Sequence, residues 1–298
     1  MIPLTLVTGF LGTGKTTLLK QIIAKNSDKR LIYIVNEFGK LDVDGTILAD
    51  TADVVPIPGG SIFCHCLTAT FIEHLQKLKQ HHDLQPFDGV VIEASGMANP
   101  MVIRRMLVET QLDKVFSLNN VITVTEPVSL MKLLKTLPNM HDQIKAADVV
   151  LLNKVDSVPP TQVSKAIDAI MHINANAVVH QTVNCNVPLN LFDTHSAVPI
   201  AGEYAKCRDP HYMQMTVRIS DKPTREHLTN TLQSAGDSLY RAKGWVDCAE
   251  GPTYVDVASG RIDIHPVQQM LSEQSVIVII GSGSAAKLVE ECLSPLAC

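Results

Sequence analysis

The run Gly9-Phe10-Leu11-Gly12-Thr13-Gly14-Lys15-Thr16-Thr17 fits the phosphate-binding spacing G-x-x-x-x-G-K-[ST] without a gap. Its chemistry is anion capture. The glycines let successive backbone N–H groups turn toward phosphate oxygens, and a following helix N-terminus adds a partial positive charge. On this pattern Lys15 reaches the β- and γ-phosphates and stabilises transition-state charge, and the Thr16 hydroxyl ligates Mg²⁺. Gly9, Gly12, Thr13, Gly14 and Thr17 complete the cradle for a nucleoside triphosphate.

Two further stretches carry matching chemistry. Phe87-Asp88-Gly89-Val90-Val91-Ile92-Glu93 is a buried-strand pattern that runs into Ala94-Ser95-Gly96. A carboxylate at such a strand end, three residues before a glycine, is the switch II arrangement. Glu93 is expected to hold Mg²⁺ through water, and the Gly96 N–H to touch the γ-phosphate. After a later apolar strand comes Asn153-Lys154-Val155-Asp156, the guanine-reading pattern. There Asp156 accepts from the guanine N1–H and 2-amino group, Asn153 bonds the base edge and the Lys154 stem covers the ring. Adenine lacks that amino group and presents the opposite donor pattern, so the sequence predicts GTP rather than ATP. Asn184-Cys185-Asn186-Val187-Pro188 falls where a second guanine-contacting loop is expected.

The elements that must hold these residues alternate. Leu4 to Thr8 leads into the phosphate loop as a strand, and a helical pattern from Thr17 to Ala24 leads out. Strands follow at Arg30 to Val35, Phe87 to Glu93, Val121 to Thr125, Asp148 to Leu152 and Ala177 to His180. Helices are expected at Thr68 to His81, Asp142 to Ala147 and Thr161 to His172. The polar stretch bearing Asp42, Asp44, Asp50 and Asp53, broken by Gly45, lies where switch I sits. This alternation predicts an α/β fold of the P-loop NTPase type, with a mainly parallel sheet covered on both faces, over residues 1–194. Residues 195–210 read as a linker. Residues 211–298 read as a smaller C-terminal α+β domain with an antiparallel sheet: strands from Tyr212, Leu239, Tyr254, Arg261 and Ser275, and helices at 225–234 and 285–292.

Composition narrows the class. Apolar residues make up 46% of the 298 and charged residues 18%, as in an ordinary globular protein. A formal charge of −5 supplies no basic footprint, so nucleic acid is not an expected partner. No apolar run approaches the roughly 20 residues that span a bilayer, the longest being Ser275 to Ile280. The N-terminus enters its first strand with no basic n-region, and a cytoplasmic protein is expected. Seven cysteines are scattered except for Cys64 and Cys66, a close pair that in a reducing compartment points to a metal or redox site rather than a disulfide.

Together these residues resemble the CobW-like metal-chaperone GTPases, relatives of the urease and hydrogenase nickel-insertion GTPases. The matching segments are the phosphate loop, Asn36-Glu37-Phe38-Gly39, Glu93 through Pro100, and Gln143-Ile144-Lys145-Ala146-Ala147-Asp148 leading into Asn153-Lys154-Val155-Asp156. In the second domain Arg241-Ala242-Lys243-Gly244-Trp245 and Ser259-Gly260-Arg261 look like the family's C-terminal signatures. The family motif Gly-Cys-x-Cys-Cys departs here to Gly60-Ser61-Ile62-Phe63-Cys64-His65-Cys66, with Ser61 and Phe63 in place of two cysteines. Cys64, His65 and Cys66 remain as a shifted chelate, with Glu37 able to complete the shell as the family's glutamate does. Sulfur and imidazole donors suit Zn²⁺, and also Co²⁺ or Ni²⁺. The alternative is that Cys64 and Cys66 are small buried hydrophobes.

The resemblance implies a GTP-hydrolysing metallochaperone that couples nucleotide state to delivery of a transition metal to a client protein. A GTPase activator of a cobalamin- or metal-dependent enzyme, with no metal site of its own, is the alternative. The client is expected to meet the C-terminal domain, and a nucleotide-dependent homodimer is compatible with the resemblance.

Overall fold

Leu4, Leu6 and Val7 have no exposed surface, and the strand they form is buried on both faces. Such a strand belongs at the centre of a parallel sheet, where helices cover both sides. The computed structural model describes residues 1–37, 53–58, 61–64, 67–192, 212–258, 260–270 and 275–296. The chain divides into two compact units, Met1–Cys207 and Arg208–Cys298. The expected linker, 195–210, lies outside the described residues, as does the expected switch I stretch up to its last aspartate, Asp53.

In the first unit the chain runs β1 (Ile2–Thr8), α1 (Lys15–Lys25), β2 (Leu31–Glu37), β3 (Asp53–Pro58), α2 (Thr68–Leu84), β4 (Gly89–Glu93) and α3 (Ile103–Glu109). It continues β5 (Phe116–Thr125), α4 (Pro127–Thr136), α5 (Pro138–Ala146), β6 (Val149–Asn153), α6 (Pro160–Ile173) and β7 (Val178–Thr182). The described strands form one seven-stranded sheet in the order β3-β2-β4-β1-β5-β6-β7. Every pairing in it is parallel. One face packs Leu4, Leu6, Val90 and Ile92 against Phe71 and Leu75 of α2 and Ile103 and Met106 of α3. The other packs Val7, Val35, Val91 and Val124 against Leu18, Leu19 and Ile22 of α1. The chain fills β2, β3 and β4 on one flank of β1 before crossing to β5, β6 and β7 on the other. In open sheets of this kind ligands bind above the carboxyl ends of the strands at such a reversal.

Every described pairing is parallel, where the sequence implied a mainly parallel sheet, and five elements differ from expectation. β3 was not expected as a strand, because Pro56 and Pro58 interrupt it. It lies at the sheet edge and pairs with β2 alone, where a proline leaves no central ladder bond unmade. β5 begins at Phe116 rather than Val121, because Asn119 and Asn120 hide an otherwise apolar run. Their side-chain NH2 groups donate to the carbonyls of Phe192 (2.9 Å) and Leu191 (3.2 Å). α5 starts at Pro138 rather than Asp142, with proline in its first turn where no amide donor is needed. α3 and α4 were not expected at all.

The second unit carries β8 (Tyr212–Arg218), α7 (Arg225–Ser234), β9 (Leu239–Cys248), β10 (Gly251–Ala258), β11 (Arg261–Pro266), β12 (Val276–Ser282) and α8 (Ala286–Leu293). Its sheet, ordered β11-β10-β9-β12-β8, is antiparallel throughout. Leu228 and Leu232 of α7 and Val289 and Leu293 of α8 pack with Ala242, Val255 and Ile277 on one face of it. This is the smaller α+β architecture expected from the sequence.

Candidate nucleotide site

β1 ends at Thr8 and the phosphate loop begins at Gly9, whose φ is +138°. A Cβ at Gly9 would overlap the Val124 carbonyl of β5, so only glycine lets the loop leave the sheet here. The loop is closed on the Phe10 carbonyl, which accepts from Thr13 Oγ1 (2.9 Å) and from Lys15 Nζ (3.2 Å). Gly14, at φ +115°, is the N-cap of α1 and supplies no side-chain cap, and the first turn of α1 holds no acidic residue. The amides that open an α-helix have no partner within it, so this N-terminus is available to an anion.

The segment expected to read guanine is fastened to that loop. Asn153 ends β6, and its Nδ2 donates to the Thr13 carbonyl at 2.9 Å. Its Oδ1 accepts from the Thr182 hydroxyl (3.1 Å) and the Cys185 amide (2.9 Å). Both lone pairs of the carbonyl are thereby used, and one amide proton is left over for a base edge. Asn153 therefore also braces the site, a role the sequence did not reveal. Lys154, held at φ +58°, donates to the Gly12 carbonyl at 2.7 Å and pairs with Glu126 at 2.7 Å. Asp156 follows in an exposed turn, Val155–Ser157. Asn184 and Cys185 both have positive φ, which turns the Cys185 amide toward Asn153. The Cys185 thiol donates to the Gly14 carbonyl at 3.4 Å, and burial pushes its pKa up to about 12 against the opposing pull of Lys154.

Glu93 ends β4 opposite Val7 of β1 and is almost fully buried. The segment after it is held from α5. Gln143 Nε2 donates to the Gly96 (3.3 Å) and Ala98 (3.0 Å) carbonyls, Asn139 donates to Met97 (2.9 Å), and Asn99 donates to Asp142 (2.6 Å). A Cβ at Gly96 would lie 2.5 Å from Leu11, so the switch segment touches the phosphate loop. The buried hydroxyls of Thr8, Ser95 and Thr125 have no hydrogen-bond partner among the described residues, which marks the carboxyl ends of β1, β4 and β5 as a place for polar ligand atoms or water. The carboxylate of Glu93 and the hydroxyl of Thr16 are hard oxygen donors of the kind that suit Mg²⁺.

The expected metal loop is only partly described. Glu37 is the last residue of β2, Cys64 is buried, and His65 and Cys66 lie outside the described residues. Phe63, standing where the family has a cysteine, is fully buried and meets Phe71 edge-on with ring centroids 6.2 Å apart. Among the described residues no three side chains of metal-binding type come together.

Residues 3–181 match the family model described as CobW/HypB/UreG, nucleotide-binding domain, and residues 213–296 match the cobalamin synthesis protein cobW C-terminal domain. The chain belongs to the CobW/HypB/UreG family of GTPases. It is 27% identical over 266 residues to the zinc chaperone YjiA of Escherichia coli, covering 83% of this chain and 82% of that one. It is 30% identical over 192 residues to a zinc-regulated GTPase metalloprotein activator of Schizosaccharomyces pombe, covering 61% of this chain and 46% of that one. A crystal structure of a zinc-bound triple mutant of the YjiA GTPase shares the fold, with a TM-score of 0.50, 20% identity and full coverage of both chains. No described helix is long and apolar enough to cross a membrane.

Proposed function

We propose that this protein binds GTP with Mg²⁺, hydrolyses it to GDP and phosphate, and couples the cycle to delivery of a transition metal, Zn²⁺ foremost, to a client protein. The observation that carries the GTP reading is the tie between the two recognition segments. Asn153 and Lys154 bond the Thr13 and Gly12 carbonyls, so whatever occupies the phosphate loop has its base delivered to Asp156. In this reading Lys15, released from Phe10, neutralises β- and γ-phosphate charge, and the Gly96 N–H contacts the γ-phosphate from a segment that α5 holds in place. Thr16 and Glu93 would hold Mg²⁺, which when bound supplies further neutralisation of the developing phosphate charge.

Support for the metal half comes from relatives named as zinc chaperones and from the turn bearing Cys64 being bonded to Asn36, the neighbour of Glu37 in β2. The metal is cargo, taken by Cys64 with His65, Cys66 and Glu37 and released as the switch segments move. The C-terminal domain, 211–298, is the surface offered to the client, and a nucleotide-dependent homodimer fits the same cycle. A second reading, a GTP-driven activator with no metal site of its own, is favoured by Phe63, whose buried ring fills the place of a thiolate.

Metal-free protein titrated with Zn²⁺ and Co²⁺, with GDP and with a non-hydrolysable GTP analogue, beside a Cys64→Ala/Cys66→Ala variant, tests the reading. One equivalent of metal whose affinity changes with nucleotide and is lost in the variant is the expected result. Equal binding by wild type and variant would transfer the assignment to the activator reading. Phosphate release from GTP but not ATP, lost in Lys15→Ala, checks the hydrolytic half.

A further inference from the structure

One buried side chain joins the cysteine-bearing loop to the switch segment. Asn36 is the penultimate residue of β2 and is 3% exposed. Its Nδ2 donates to the Ile57 carbonyl of β3 at 3.0 Å. Its Oδ1 accepts from the Ile62 amide at 3.1 Å and from the Ser95 amide at 3.2 Å. Ile62 lies two residues before Cys64, and Ser95 lies between Glu93 and Gly96. The two lone pairs of one amide oxygen are thus divided between the two segments.

What reaches Ile62 reaches Cys64, because the short turn between them is locked. The Phe63 amide donates to Ser61 Oγ at 3.2 Å. Thr68 Oγ1 donates to the Cys64 carbonyl at 2.7 Å and to the Ile62 carbonyl at 3.2 Å, fixing the turn to the start of α2. Ile62 and Phe63 are fully buried in the core cluster. Close-packed groups of this kind move as a body rather than deform. On the other side, Ser95 and Gly96 are adjacent, so a pull on the Gly96 amide by a γ-phosphate displaces the Ser95 amide with it. The Ser95–Asn36 bond then either carries the shift into the 61–64 turn or is exchanged for water, and either outcome changes the energy of the cysteine loop with nucleotide state.

We propose that the Asn36 side-chain carbonyl is the positioning element that couples the nucleotide-sensing segment at Ser95–Gly96 to the Cys64 loop. The inference deepens the metal-handling reading and rests on it for its metal arm alone. The experiment has two arms. In the first, Zn²⁺ affinity is measured by chelator competition in the GDP and GTP-analogue states of wild type, Asn36→Ala and Asn36→Asp. Wild type is expected to show a ratio between states in the range of about 5- to 150-fold. Asn36→Ala, which removes the shared acceptor, should bring that ratio to within about twofold of unity while Zn²⁺ still binds, and Asn36→Asp, which keeps an acceptor, should restore part of it. A wild-type ratio in Asn36→Ala would overturn the proposal.

The second arm uses wild type only and needs no metal. Amide exchange of Ile62 and Ser95 is followed as GDP is replaced by the GTP analogue. Both amides should change protection together; a change at Ser95 with none at Ile62 would overturn the coupling. Failure of wild type to bind Zn²⁺ would remove the metal reading, and the amide arm would still decide the role of Asn36.

Discussion

The Lys154 ammonium lies 2.7 Å from the Glu126 carboxylate, yet the two ends of this pair live in different surroundings. The Lys154 side chain is 42% exposed and that of Glu126 only 4%. Removing the lysine leaves a buried carboxylate with the Ser129 hydroxyl, 3.2 Å away, as its remaining side-chain donor among the described residues. A buried charged acceptor stripped of a partner costs about 1–3 kcal/mol. Lys154→Ala should therefore lower the thermal midpoint by about 2–4 °C for each kcal/mol lost, and calorimetry should show a smaller drop for the isosteric Glu126→Gln.

Gly14→Ala tests the geometry of the phosphate loop. The residue sits at φ +115°, and an added Cβ would lie 2.6 Å from Asn153 Nδ2, within the bond that ties β6 to the loop. Left-handed strain of about 1–3 kcal/mol corresponds to a loss of roughly 5- to 150-fold in nucleotide affinity. Fluorescent-GDP titration should show that loss beside an unchanged far-UV circular dichroism spectrum. Wild-type affinity in the variant would remove the loop from the nucleotide site.

Asp156→Asn exchanges a double acceptor for a group that presents both a donor and an acceptor. Guanine offers an N–H and an amino group to that position, whereas xanthine offers a carbonyl at C2. Mispairing of a polar recognition group costs about 100-fold or more. GTP affinity should fall by that order while xanthosine triphosphate affinity rises, as competition against a fluorescent nucleotide would measure. Unchanged preference for GTP would take Asp156 out of base recognition.

Burial raises the pKa of Cys185 to about 12, and burial raises Tyr33 to about 12 as well. Both groups are neutral when protonated, and each holds its proton to higher pH in the folded chain than in the unfolded one. The unfolded chain then binds fewer protons from about pH 8 upward, so stability falls as pH rises from there toward 12. Below about pH 7 neither group contributes a slope. Thermal midpoints measured from pH 6 to 10.5 should be flat and then decline, and Cys185→Ala should reduce the decline in the pH 8–9 interval, below the range where tyrosine mainly ionises. The same burial should leave Cys185 unlabelled by iodoacetamide at pH 7.5 in folded protein and labelled in urea.

The sequence by itself determined the family and most of the frame, and it marked the segments expected to carry the chemistry. Glycines at fixed spacing before a helix, an acid at the end of an apolar strand, and Asn-Lys-x-Asp after another are local patterns, because each depends on backbone conformation within a few residues. Buried parallel strands such as β1, β4 and β6 are nearly continuous apolar runs and are legible for the same reason. β3 was not, since its two prolines are tolerated only because the tertiary fold puts that strand at an edge. The asparagines at the head of β5 interrupt its apolar run, and their side-chain NH2 groups find the carbonyls of 191–192 only once the chain has folded.

What the tertiary structure alone decided is which side chains share partners across long separations. Asn36 joined to Ile62 and Ser95, Asn153 to Thr13 and Cys185, and Gln143 to Gly96 span from 26 to 140 residues of chain. An asparagine or glutamine carries no local pattern that marks such a role. Its value lies in the number of buried backbone groups that the folded chain brings within reach of one amide, and that number exists only after the sheet has formed.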